Sequence, residues 1–119
     1  MVNLAFVIED NKDISNLFSR ALASAGFQVE AIYDGAKAQT RLTEESPTLV
    51  VLDMHLPNVN GITLFNQIRA NEHLNETKVI IATADATMGK CNNDQADLFL
   101  QKPITFSQMR DFAERLKKK

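Results

Sequence analysis

Five residues of this 119-residue chain carry side chains suited to one piece of chemistry: Glu9, Asp10, Asp53, Thr83 and Lys102. Each stands at the end of a short apolar run. Glu9 and Asp10 follow Leu4 to Ile8, Asp53 follows Leu49 to Leu52, Thr83 follows Val79 to Ala82, and Lys102 comes soon after Leu98 to Leu100. Three carboxylates brought together repel one another and raise their pKa values unless a cation sits among them. Magnesium suits such a cluster, because it takes a few carboxylate oxygens and keeps positions open for phosphate oxygens. Calcium fits less well, since no loop carries the spaced oxygen ligands of an EF-hand. A hydroxyl and an ammonium offer magnesium nothing, but they offer a phosphoryl oxygen one directional hydrogen bond and one compact charge. Phosphoryl transfer passes through a loose transition state that needs its oxygens neutralised and a nucleophile in line. A carboxylate beside the metal can be that nucleophile and become an acyl phosphate, and Asp53 is the residue placed for it.

The chemistry requires these ends to meet. Leu4 to Ile8, Leu49 to Leu52 and Val79 to Ala82 are continuously apolar and rich in β-branched residues, as in strands covered on both faces. Between the first two, Ile14, Leu17, Phe18, Ala21, Leu22 and Ala25 recur at helical spacing before Gly26. Phe27 to Ile32 reads as a strand, and Asp34-Gly35 opens a weaker helix that Ser46-Pro47 ends. A loop from Asp53 to Asn60 leads to a helix starting at Gly61 with Leu64, Phe65 and Ile68 on one side, and Asn60 occupies a turn position. Leu98 to Leu100 supplies a fifth strand, and Phe106, Met109, Phe112, Ala113 and Leu116 mark a closing helix, with Lys117 to Lys119 as its solvated end. Residues Ala84 to Asp97 are polar, so a helix there is expected to be short, displaced or missing.

Alternating strands and helices imply an α/β fold with right-handed crossovers. The expected form is a flavodoxin-like three-layer sandwich, a five-stranded parallel sheet of order 2-1-3-4-5 with helices on both faces. In that order the first and third strands are neighbours at the topological switch point, and ligands bind beyond their carboxyl ends. That is where Glu9, Asp10 and Asp53 fall.

Length and composition agree. The chain fits one domain, residues 1–119. With 45% hydrophobic and 24% charged residues it has the balance of a soluble globular protein. A formal net charge of −2 lacks the positive field that draws a protein to nucleic acid, so direct nucleic-acid binding is disfavoured. The lone Cys91 cannot form an internal disulfide, and with two distant histidines it offers no zinc spacing; a reducing, cytoplasmic setting fits. The apolar start, Leu4 to Ile8, is too short for a signal peptide or a membrane span.

Taken singly, each site residue has a plainer role. Asp10 or Asn11 is a candidate helix cap, Asp53 a turn residue, Thr83 another cap and Lys102 a solvated surface lysine. The joint pattern carries the argument, because unrelated surface residues have no reason to collect at four strand ends with these charges. His55 and His73 read as exposed, with no metal role for their rings.

The chain resembles the receiver domains of two-component response regulators, the CheY-like fold, over essentially its whole length. The matching segments are Val7-Ile8-Glu9-Asp10-Asn11, Val51-Leu52-Asp53-Met54-His55-Leu56-Pro57 followed by Gly61, Ile81-Ala82-Thr83-Ala84, and Leu100-Gln101-Lys102-Pro103. The resemblance implies a Mg2+ site made by Glu9, Asp10, Asp53 and the backbone carbonyl of His55, with Asp10 a direct ligand and Asp53 also the phosphoacceptor. It implies that Thr83 bonds a phosphoryl oxygen, that Lys102 pairs with another, and that Thr83 and Phe99 form the switch; plain core is the other reading of Phe99. The Lys102-Pro103 peptide admits the cis form. His55 and Asp85 would tune dephosphorylation. The implied donor is a sensor histidine kinase or phosphotransfer protein, the output an altered contact with an unidentified protein or a phosphorylation-dependent dimer, and the only catalysis the chain's own phosphorylation and dephosphorylation.

Two departures stand out: the interval from Thr83 to Lys102 is short, and Gln95 stands where the family tends to have Gly. They leave open a second function class, a phosphorylation-independent interaction module on the same fold. A third, a flavin or nucleotide carrier, is disfavoured because no Gly-rich phosphate loop follows the first strand.

Overall fold

The computed structural model describes residues 3–84 and 97–117. The apolar runs become strands β1 (Leu4–Ile8), β2 (Gln28–Ile32), β3 (Leu49–Leu52), β4 (Lys78–Thr83) and β5 (Leu98–Gln101). The amphipathic stretches become helices α1 (Lys12–Ser24), α2 (Gly35–Glu44), α3 (Gly61–Ala70) and α4 (Phe106–Leu116), with one 3-10 turn, Glu72–Leu74, before β4. All five strands run parallel in the order β2-β1-β3-β4-β5. This is the flavodoxin-like topology that the alternation of elements implies. The expectation of a short, displaced or missing helix between β4 and β5 falls on residues 85–96, which lie outside the described residues.

The two-residue period of the strands sorts the core into two layers. Ala5 and Val7 of β1, Leu49 and Val51 of β3, and Ile80 and Ala82 of β4 pack with Phe18, Leu22 and Met109 on the side of α1 and α4. Their neighbours Phe6, Ile8, Val50, Leu52, Val79 and Ile81 pack with Leu42, Leu64 and Phe65 on the side of α2 and α3. Both faces of the central strands are therefore apolar, which is why they show no alternation in sequence.

Among the described residues, each of the four α-helices begins with a side-chain cap, which satisfies an amide that the helix itself cannot. Asn11 accepts from Ile14 N–H at 3.0 Å, Asp34 from Lys37 N–H at 2.8 Å, and Asn60 from Thr63 N–H at 3.0 Å. Thr105 and Gln108 form a reciprocal capping box at 3.1 and 2.9 Å. At the other end of α1, Gly26 takes a positive φ of 101° and the Lys117 ammonium donates to the Ala25 carbonyl at 3.0 Å. Lys117 is thus a tether between the ends of α4 and α1, where the sequence suggests only solvated charge.

Stability should follow these two kinds of support unequally. Phe65→Ala, at a fully buried ring, is expected to cost about 3–5 kcal/mol, and Thr105→Ala, at an exposed cap, about 1 kcal/mol. Urea unfolding of the two variants against the parent chain checks both values.

Candidate functional site

The strand ladder continues past the strand ends and carries the polar residues with it. Glu9 N–H donates to Ile32 O at 3.0 Å, Asp53 N–H to Ile8 O at 3.0 Å, and Lys102 N–H to Thr83 O at 2.8 Å. Backbone pairing therefore fixes where these residues leave the sheet. Glu9, Asp53 and Lys102 continue the side-chain parity of the α1 and α4 layer, whereas Thr83 and Phe99 have the parity of the α2 and α3 layer.

Glu9 and Asp53 are 2% and 5% exposed. Carboxylate oxygens of Glu9, Asp10 and Asp53 all lie within 4.8 Å of one another, and among the described residues no other group of acidic, histidine or cysteine side chains gathers in this way. One ammonium serves the two buried members: Lys102 Nζ is 2.5 Å from Glu9 Oε1 and 3.7 Å from Asp53 Oδ2. The second Glu9 oxygen accepts Asn11 N–H at 3.2 Å, and Asp53 Oδ1 accepts His55 N–H at 3.2 Å. Because Asn11 caps α1, Asp10 has no capping duty and stands exposed at the mouth of the cluster.

The charge balance of this group is unfavourable by itself. Burial pushes the Glu9 carboxyl up to about 7 from the ordinary 4.5, and the neighbouring Asp53 charge pushes the same way, against the bonds from Lys102 and Asn11. The donor set consists of hard carboxylate oxygens, two buried and one open to solvent, and it suits a small divalent cation of the magnesium kind. Such an ion would add the charge that Lys102 alone does not supply.

The other site residues fall around this cluster. Thr83 closes β4 and is fully buried. Phe99 is partly buried against the α2 and α3 layer. His55 and His73 are exposed, and His73 Nε2 lies 2.8 Å from Leu42 O, well away from the acidic group in the fold. The Lys102-Pro103 peptide is cis. Asp85 lies outside the described residues. Two residues that were given no role at the site from sequence also contribute. Asn11 gives its backbone amide to Glu9. Gly61 lies so close to the start of the loop that a Cβ there would sit 2.5 Å from Asp53 O and 2.5 Å from Met54 Cα. An amide bond of a neighbour leaves no compositional mark, but the glycine at the start of α3 was a visible signal of close approach.

With this geometry in place, comparison with known proteins defines the class. The family model described as "Response regulator receiver domain" matches residues 5–114. The chain is 33% identical over 108 residues to the DNA-binding dual master transcriptional regulator RpaA of Synechocystis sp., covering 87% of this chain and 44% of that protein. The chain thus spans less than half the length of that relative. Among solved structures, chemotaxis response regulator CheY4 of Vibrio cholerae superposes with a TM-score of 0.86 at 19% identity, covering 98% of this chain and 99% of that one. The receiver domain of sensor histidine kinase PA1611 from Pseudomonas aeruginosa, with magnesium coordinated in its active-site cleft, superposes with a TM-score of 0.85 at 24% identity over 98% of each chain. This chain belongs to the response regulator receiver domain family of two-component signalling. Among the described residues no helix is long and apolar enough to cross a membrane.

The raised Glu9 pKa has a consequence for stability without metal. Between about pH 4.5 and 7 the native chain keeps a proton on Glu9 that the unfolded chain releases. The contribution of Glu9 is therefore full below pH 4.5 and is lost as the pH rises through about 7. Urea unfolding across this range in metal-free buffer should show that decline, and Glu9→Gln should flatten it.

Proposed function

We propose that this chain is a phosphorylation-controlled switch in which Asp53 is the phosphoacceptor and Mg2+ is held beside it. The observation that carries the reading is the gathering of the Glu9, Asp10 and Asp53 carboxylates within 4.8 Å, with the Lys102 ammonium 3.7 Å from Asp53. The magnesium-bound PA1611 receiver supports the choice of ion. Asp10, Asp53 and the backbone carbonyl of His55 would ligate it directly. Glu9, whose two oxygens already accept bonds from Lys102 and Asn11, contributes mainly negative charge.

In the transfer, an Asp53 carboxylate oxygen forms the new bond to phosphorus as the phosphorus–nitrogen bond of a donor phosphohistidine breaks, and the imidazole leaves with the electron pair and takes up a proton. Bound metal would supply positive charge to the carboxylates and to one phosphoryl oxygen. Lys102 would turn from Glu9 toward a second phosphoryl oxygen, and Thr83 would donate its hydroxyl to a third. Movement of Thr83 toward the phosphoryl group, with inward rotation of Phe99 on the same layer, would be the two-state element. His55 and Asp85 would set the rate at which water removes the group.

The donor would be a sensor histidine kinase or phosphotransfer protein, and the output a protein contact or a phosphorylation-dependent dimer, reached by one receiver unit over residues 1–119 in the cytoplasm. The chain would catalyse only its own phosphorylation and dephosphorylation. The longer relative RpaA is described as DNA-binding; the net charge of −2 argues against that role for this chain.

Incubation with Mg2+ and a small acyl phosphate, followed by intact mass measurement, tests the reading. The expected result is one phosphoryl adduct that is absent in Asp53→Asn and forms about a hundredfold more slowly in Lys102→Ala. No adduct on the parent chain, or an adduct that survives Asp53→Asn, would overturn it.

A further inference from the structure

The loop that begins at Asp53 is held by α2 as well as by α3. The N–H of Gly35, the first residue of α2, donates to the Pro57 carbonyl at 3.1 Å. A Cβ on Gly35 would lie 2.0 Å from the Val59 carbonyl oxygen and 2.8 Å from Val59 Cβ. What it would meet is mainly backbone, so any side chain at position 35 must displace the loop itself. The loop tip is one bent unit: Val59 N–H donates back to Pro57 O at 2.9 Å, and Asn58 between them holds a left-handed φ of 73°. A push on Val59 is therefore passed toward Pro57. At its other end the same loop is joined to the site, where His55 N–H donates to Asp53 Oδ1 at 3.2 Å.

We infer that Gly35 is a positioning residue for the cation and phosphoryl site: the absence of a side chain lets α2 clamp Pro57 and Val59, and the clamp sets the placement of His55 and Asp53. The inference rests on the reading of Asp53 as a phosphoacceptor with Mg2+ beside it. If the metal holds one end of the loop and Gly35 the other, each stabilises the other's grip by the same factor.

Amide hydrogen exchange followed by NMR reads this coupling in the parent chain without any substitution. At a Mg2+ concentration ten times its dissociation constant, exchange of the Gly35 amide should slow about tenfold, because opening the clamp would also forfeit the metal. Exchange of the Asn75 amide, bonded to Glu72 O in the distant 3-10 turn, should not change. In calorimetric titration Gly35→Ala should bind Mg2+ about tenfold more weakly. Ala36→Gly, an exposed neighbour that weakens the same helix without facing the loop, should bind as the parent does. A Gly35 amide indifferent to Mg2+, or Gly35→Ala with unchanged affinity, would overturn the inference while leaving the functional reading intact. A parent chain that binds no Mg2+ would remove both.

Discussion

Two carboxylates buried side by side with one ammonium between them are the constraint on which the rest of the site depends. Burial beside Asp53 makes the charged form of Glu9 costly, and Lys102, 2.5 Å from Glu9 and 3.7 Å from Asp53, compensates only in part. Asp10 adds a third negative group at the solvent side and makes the deficit larger. The stored repulsion favours whatever brings positive charge into the mouth of the cluster. It also leaves Lys102 with a choice of partners, so that a new anion beside Asp53 can draw the ammonium away from Glu9.

The fold supplies this arrangement by ordinary backbone pairing. Ile8, Leu52 and Ile81 are neighbours across β1, β3 and β4, so the residues that follow emerge at one level of the sheet. Side-chain parity then separates the charges on the α1 and α4 side from Thr83 and Phe99 on the other. Capping decides the remaining detail: Asn11 serves the first turn of α1, which releases Asp10 for the cluster. The loop that carries Asp53 is confined by two glycines whose importance lies in the space they leave.

Much of this was legible in the sequence, and what was not has a physical reason. Three unbroken apolar runs identify strands covered on both faces, because burial there is nearly complete, and the helical spacing of Ile14, Leu17, Phe18, Ala21 and Leu22 identifies α1, because only that one face of the helix meets the core. The strand-end positions of Glu9, Asp53 and Thr83 follow from those runs, and that of Lys102 from the short stretch Leu98 to Leu100. The contact between Glu9 and Lys102 does not, since the two are 93 residues apart and pair only once the sheet is built. Nor does composition show that Lys117 reaches Ala25, or that position 35 faces a carbonyl of the β3–α3 loop, because both are facts of packing between distant elements. The family assignment agrees with the residues that carry the resemblance, and the fold matches solved receivers at identities as low as 19%. Topology is thus retained where most residues differ.

The most direct measurement of the central claim is thermal unfolding of the parent chain and Asp53→Asn over a range of Mg2+ concentrations. If the cluster is a cation site held under electrostatic repulsion, the parent midpoint rises steadily with Mg2+, while Asp53→Asn unfolds at a higher temperature than the parent in metal-free buffer and responds little to the ion. A parent chain indifferent to Mg2+, or an Asp53→Asn chain that is destabilised without metal and still responds fully to it, would contradict the account.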